Sequence, residues 1–336
     1  MQPMNLTPEP QNVSPERILD ALMAYRRTGA MKAAIELDLF SVVGNGATAA
    51  EVAAKLGTPE RGVRMLCDFL AMNGFLTKAE RRYDLAPDAA LFLDRRSPAY
   101  LGGVSEFVAA PSQVHAMGEL AAAVRHGGAP QPTPVADYPE WITFARAMGP
   151  FMAMQAEMLA ERFGPVPGRI LDVAASHGLF GIAFAKRSPT AEVTALDAKP
   201  VLEVVARDNA AKAGVAARYH LLSGDAFQVA LGDGYDLVLL TNFLHHFAPP
   251  TIVPFLRRVR AALKPGGRVL TLEFVPNPDR ISPPQAAGFG LTMLANTAAG
   301  DAYTFIELEK MFREAGFSSL EEHPLPTPQT ALLASL

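Results

Sequence analysis

ILDVAASHG, residues 170–178, reads as a buried strand delivering a ligand-binding turn: an apolar run that ends at Asp172, then small residues up to Gly178. Downstream, β-rich runs at 169–175, 192–197, 217–223, 235–240 and 267–274 alternate with helical stretches at 178–187, 200–213, 250–263 and 304–315. That alternation predicts an α/β fold, a parallel sheet wrapped by helices on both faces. In such a sheet, ligands bind past the carboxyl ends of the strands, so the informative residues lie at strand ends.

The turn itself is unusual. A dinucleotide needs glycines so that backbone N–H groups can close on the pyrophosphate. Here Ala174, Ala175 and Ser176 precede Gly178. A phosphate-free nucleoside such as S-adenosylmethionine needs no such close approach, and alanine or serine suffices wherever φ is negative. On glycines alone, both cofactors stay open. Nineteen residues past Gly178 the second strand ends in Asp197, placed to accept from ribose hydroxyls. The third ends in SGDAF, which puts Asp225, Ala226 and Phe227 beside the same crevice. The fourth reads YDLVLLTNFLHHF, bringing Asn242, Phe243, His245 and His246, and the fifth RVLTLEFVP, ending at Glu273.

The first half is different. Ser14-Pro15 opens a helical stretch to about residue 39, with a break expected near Thr28-Gly29. Thr48 and Glu51 form a capping-box pair, Gly57 closes that helix, and Thr58-Pro59 opens another reaching about Asn73. Phe75-Leu76 and Tyr83–Leu85 bracket a charged hairpin. Helix, turn, helix, hairpin outlines a winged helix. Residues 1–110 nevertheless carry 12 Lys/Arg against 13 Asp/Glu, without the basic face that phosphate contacts require, so no nucleic-acid partner is expected. Residues 98–128 look helical, 127–134 a loop, and 137–163 a long helix bent at Gly149-Pro150.

The 336 residues carry a net charge of −4 and one cysteine, Cys67, which excludes a disulfide framework and a zinc set. No apolar run reaches the ~18 residues of a membrane span. The proline-rich start lacks the pattern of a secretory leader, so a cytoplasmic location is expected.

DVAASHG, LDAKPVLEVV, SGDAF, YDLVLLTNFLHHF, LKPGGRVLTLEF and GDAYTFIELEKMFREAGF stand in the order and spacing of one family. From Pro165 to Phe317 the chain resembles the class I S-adenosylmethionine-dependent methyltransferases. With its first half included, it resembles the small-molecule O-methyltransferases of the plant caffeate type and their bacterial natural-product relatives. The resemblance implies a Rossmann-like methyltransferase domain over 164–336, a disordered tail over 1–14, and an all-α winged-helix dimerisation domain over 15–97. Linking helices over 98–163 would contribute to the acceptor pocket.

It further implies S-adenosylmethionine as cofactor, S-adenosylhomocysteine as product, a small aromatic acceptor and a homodimer formed through the N-terminal domain. Asp197 matches the ribose carboxylate, Asp225 and Phe227 the adenine pair, and Gly178 the last loop glycine. Ala174 and Ser176 depart from the other two, and Asp172, Ala226 and Asn242 complete the expected cofactor set. His245 matches the family's general base and Glu273 its orienting carboxylate. A second family glutamate is Ala302 here, with Asp301 either substituting for it or capping the helix that starts near Thr304. His246 stands where an aspartate is usual. Trp141, Phe144, Met148, Met152, Phe243, His246, Phe289, Met293 and Leu294 are the expected acceptor-pocket residues, and no metal is expected. Carbon or nitrogen methylation, a non-methylating reaction on the same cofactor, and a ligand-responsive regulator are the alternatives.

Overall fold

The computed structural model describes residues 13–132 and 140–336. Most of the expected N-terminal tail and the expected start of the long helix at 137–139 lie outside the described residues. The chain divides into two compact units at Gly102/Gly103.

The first unit is mostly helical, although not wholly. Helices Glu16–Met23, Tyr25–Glu36 and Leu39–Val43 lead into strand β1 (Ala47–Thr48) and helices Ala49–Leu56 and Glu60–Met72. The hairpin β2 (Leu76–Ala79) and β3 (Arg82–Leu85) follows, and β3 pairs antiparallel with both β1 and β2. The Thr48–Glu51 capping box forms, and Gly57 takes the left-handed conformation (φ 63°) that ends its helix. The first break falls at Ala24 instead of at Gly29, which stays inside a helix with open space around it. Leu39, Phe40, Val52, Cys67, Leu70, Leu76 and Tyr83 build the core, and burial pushes the Cys67 thiol up to about 11. Helix Glu16–Met23 buries none of its residues within the chain, leaving Ile18, Leu19 and Leu22 exposed.

In the second unit, short helices between Ser105 and His126 and a 23-residue helix, Trp141–Phe163, precede the sheet. The long helix runs through Pro150 as a single element. The strands are β4 (Arg169–Val173), β5 (Glu192–Asp197), β6 (Tyr219–Ser223), β7 (Tyr235–Thr241), β8 (Leu263–Glu273), β9 (Ser319–Pro324) and β10 (Thr330–Ser335), in the order β6-β5-β4-β7-β8-β10-β9. The first five pair in parallel. β10 runs antiparallel between β8 and β9. Strand order reverses between β4 and β7, which opens the crevice at their carboxyl ends.

β4 and β7 are buried along nearly their whole length because both faces are covered. Leu159, Phe163, Phe180 and Phe184 pack one face from helices Trp141–Phe163 and Leu179–Arg187. Phe255, Leu256, Val259, Met311 and Phe312 pack the other from helices Pro249–Ala262 and Phe305–Glu314. No helix among the described residues is long and apolar enough to cross a membrane.

Candidate active site

The turn after β4 departs from expectation in its backbone. Ala174 (φ 53°), Ser176 (φ 51°) and Gly178 (φ 76°) are all left-handed. Alanine and serine therefore do not stand at negative φ; they occupy glycine's conformation at a cost of about 1–2 kcal/mol each. Gly178 has no alternative, since a Cβ there would collide with the Tyr219 hydroxyl.

Two carboxylates hold the turn. The Ser176 N–H donates to Asp197 Oδ2 at 2.8 Å, and the Ala198 N–H to Asp197 Oδ1 at 2.6 Å. Below, Asp172 Oδ2 accepts from the Gly181 N–H at 2.9 Å. Burial pushes the Asp172 carboxyl up to about 7 and that of Asp197 up to about 6. Among the described residues, Asp172 Oδ1, Ser176 Oγ and the Tyr219 hydroxyl are buried without hydrogen-bond partners. Buried polar atoms of this kind are costly unless satisfied, so the floor of the turn is chemically suited to a polar guest. His177, in mid-turn, is buried and pushed down to about 4, so it is neutral near pH 7.

Beyond β6, Asp225 Oδ1 accepts from the Phe227 N–H at 2.9 Å, and the Ala226 carbonyl accepts from Arg258 at 2.8 Å. Phe227 packs on Phe243, Phe247 and Phe255 with ring centroids 4.7–5.9 Å apart. Phe243, expected in the acceptor pocket, is buried in this aromatic cluster and belongs to the core.

Past β7, Asn242 turns left-handed (φ 55°) and a short 3₁₀ turn, Leu244–His246, carries both histidines. His245 Nδ1 lies 2.5 Å from Glu273 Oε2. The other carboxylate oxygen accepts from the Phe243 and Leu244 N–H groups at 3.1 and 2.8 Å. One side chain thus fixes the backbone of the turn and the imidazole it bears. In a neutral imidazole that donates Nδ1–H to the carboxylate, the lone pair is on Nε2. His246 meets the Trp141 ring at 6.0 Å, and burial together with its charged-form repulsion from His245 holds it well below its ordinary value.

Phe289, on helix Pro284–Asn296, touches the His245 ring edge-on at 4.9 Å and stacks on Phe274 at 4.0 Å. Met293 on the same helix is buried, and Leu294 half-buried. Trp141 meets Phe144 at 5.3 Å, Met148 is half-buried against the core, and Met152 Sδ accepts from Asn242 Nδ2 at 3.5 Å.

Asp301 reaches the base only through its backbone, its N–H donating to the His245 carbonyl at 3.0 Å. Its carboxylate pairs with Arg280 at 3.5 Å. It does not cap the next helix; Thr304 does, in a capping box with Glu307. Sequence alone does not point to Tyr219, Arg280 or Gln329, because each arrives from a distant segment without a local motif, and Phe274 goes unmarked beside Glu273 because nothing in the block that ends with it shows that its ring meets Phe289. Among the described residues, no three His, Cys, Asp or Glu side chains gather as metal ligands would.

Comparison with known proteins leads to the same place. Residues 136–318 match the O-methyltransferase domain and 16–95 the O-methyltransferase dimerisation domain. The chain is 30% identical over 332 residues to the 3-hydroxy-5-methyl-1-naphthoate 3-O-methyltransferase of Streptomyces sahachiroi, covering 95% of this chain and 94% of that protein. A solved protein from Nostoc punctiforme PCC 73102, provisionally described as an O-methyltransferase, superposes with a TM-score of 0.94 at 46% identity, covering 96% of this chain and 99% of the other. PigF, solved with S-adenosylhomocysteine, gives a TM-score of 0.83 at 26% identity over 96% of this chain and all (100%) of PigF.

Proposed function

The chain belongs to the O-methyltransferase family, and from that premise we propose that it transfers a methyl group from S-adenosylmethionine to a hydroxyl of a small aromatic molecule. The single observation that carries the base assignment is the buried His245–Glu273 pair, whose carboxylate also grips the turn presenting the imidazole.

The residues fit the cofactor. The left-handed turn from Ala174 to Gly178 keeps the shape of a glycine loop despite its substitutions. Asp197 would hold the ribose, Asp225, Ala226 and Phe227 the adenine, and Asp172 with Ser176 would serve the polar end through atoms that lack partners among the described residues. When bound, S-adenosylmethionine supplies a methyl group activated on a sulfonium. His245 Nε2 takes the hydroxyl proton of the acceptor, and Glu273 stabilises the imidazolium that results. Trp141, Phe144, Met148, Met152, Phe289, Met293 and Leu294 would provide an apolar acceptor wall, with His246 as a neutral polar edge. Arg280 already engages Asp301, so proton removal rests on His245.

A second copy of the chain would cover Ile18, Leu19 and Leu22, within the stretch that matches the dimerisation domain. The buried thiol of Cys67 suits a reducing, cytoplasmic setting. The test is a screen of labelled-methyl transfer across phenolic, carboxylic and amine acceptors, with His245→Ala and Glu273→Ala alongside. Labelled phenols that disappear with either substitution are expected; transfer undiminished in His245→Ala would overturn the assignment of the base.

A further inference from the structure

Three adjacent strands end side by side at the crevice. Thr241 of β7 is in register with Leu272 of β8, and Thr330 of β10 with Glu273. Asn242, Glu273 and Gln329 are therefore neighbours across β7, β8 and the start of β10. The first two lie at strand ends that the sequence marks as a site, whereas Gln329 comes from the antiparallel hairpin β9–β10.

Gln329 is only 2% exposed, and its Nε2 donates to the Asn242 side-chain carbonyl. The other end of that amide donates to Met152 Sδ. Both polar ends of Asn242 are thus spoken for inside the protein. The donor from Gln329 decides which end of the amide faces which way, since only the Asn242 oxygen can accept it.

Asn242 is also where the backbone changes course. It is left-handed, its N–H donates to the Leu272 carbonyl at 2.8 Å, and the next residues form the turn that bears His245. Phe243 and Leu244 reach Glu273 only if that left-handed step is held. Asparagine tolerates the step better than most residues, but nothing intrinsic to it fixes the angle. Its side chain, anchored at both ends, does.

Resting on the reading of His245 as the base, we infer that Gln329 is a positioning residue: the β9–β10 hairpin uses it to lock Asn242 and thereby the turn that holds the imidazole against Glu273. Glu273 secures the turn from its far side and Gln329 from its origin. The hairpin, which carries no expected site residue, then has a part in the chemistry.

Gln329→Met keeps length and volume while removing the donor. With naphthol as acceptor, kcat near neutral pH should fall about tenfold, a fraction of what a positioned base contributes. KM for the cofactor should stay within about twofold, since Ser176, Asp197, Asp225 and Phe227 are left in place and the Asn242 side chain, expected in the cofactor set, already spends both polar ends on Gln329 and Met152. The deficit should close at alkaline pH, where naphthol is already ionised and needs no base. Independently of turnover, the labelled imidazole nitrogens of His245 should change from a single Nδ1-protonated tautomer to an exchanging mixture. Asn242→Ala removes the same contact from the other end, and the double variant should be no worse than Asn242→Ala alone.

A single unchanged tautomer in Gln329→Met, with only the melting temperature lowered, would overturn the inference, as would losses in kcat that add in the double variant. Should Gln329→Met not fold, the tautomer in Asn242→Ala decides. If the unaltered enzyme methylates no phenol, the functional reading fails, while the imidazole spectra still answer for the lock.

Discussion

Replacing Glu273 by glutamine removes one charge and almost no volume, and the geometry dictates the outcome. In the native protein, one carboxylate oxygen accepts from two backbone N–H groups and the other from His245 Nδ1. The amide of glutamine has only one acceptor. If its oxygen stays with the Phe243 and Leu244 N–H groups, its NH2 faces Nδ1, and the imidazole must move its proton to Nε2. The base then has no lone pair toward the acceptor. Because the backbone grip survives, the fold loses only the charged hydrogen bond to His245, about 1–3 kcal/mol. The catalytic loss is larger: kcat near neutral pH should drop roughly 100- to 10,000-fold, the whole contribution of a general base. Glu273→Ala behaves differently, stranding two buried N–H donors at ~1–3 kcal/mol each, or roughly 2–6 kcal/mol in stability. The assay is labelled-methyl transfer to a phenol over a pH series, with thermal melts in parallel. Glu273→Gln should recover toward wild-type rates as the phenol ionises. A variant as fast as wild type at neutral pH, or equally slow at every pH, would refute the reasoning.

The turn after β4 offers a gain instead of a loss: Ala174→Gly and Ser176→Gly should each raise stability by up to about 1 kcal/mol, or ~2–4 °C in melting temperature, by relieving left-handed strain. Gly178→Ala should abolish binding of S-adenosylhomocysteine by calorimetry, with partial recovery in Gly178→Ala/Tyr219→Phe, because the clash is with the Tyr219 hydroxyl. Two buried groups beside the turn, Asp172 and His177, pull the pH dependence of stability in opposite directions, and Asp197, lifted to about 6, acts in the same sense as Asp172. Asp172, lifted to about 7, binds its proton more tightly when folded, so its contribution is present at low pH and lost as pH rises through about 7. His177, pushed down to about 4, contributes above its ordinary range and loses that as pH falls through about 4. Asp172→Asn removes the first of these and leaves the others, so its melting temperature should climb more steeply than the wild type's, or fall less, between about pH 4 and 7. Leu19→Asp/Leu22→Asp should convert the dimer to a monomer by light scattering, since both side chains are exposed within the single chain.

The parallel strands and the winged-helix outline were legible because their signals are local. Short β-branched and leucine-rich runs mark β4 and β7, and Thr48 with Glu51 makes a capping box three residues apart. His245 and Glu273 were legible because strand ends of a parallel sheet converge. The hairpin β9–β10 was not: SLEEHP has two glutamates among its six residues, and β10, on which it pairs, is itself set against β8, a strand more than 50 residues earlier in the chain. The handedness of Ala174 and Ser176 was invisible because residue type sets only a preference for φ, and neighbours such as Asp197 overrule it. Gln329 had no signal at all; a single amide in a turn acquires meaning only from what register sets beside it. Phe243 was misplaced for the opposite reason, since adjacency to the histidines in sequence says nothing about which side of the strand end its ring occupies.

The order in which the large sheet is assembled has a consequence for synthesis. β10 is made after β9 yet lies inside it, against β8. Until Thr330–Ser335 leaves the ribosome, β8 carries Glu273 on a strand whose outer row of backbone groups is bare. Neighbouring nascent chains can pair there in its place. A translation product halted before Thr330 should therefore be a burden on chaperones as well as inactive.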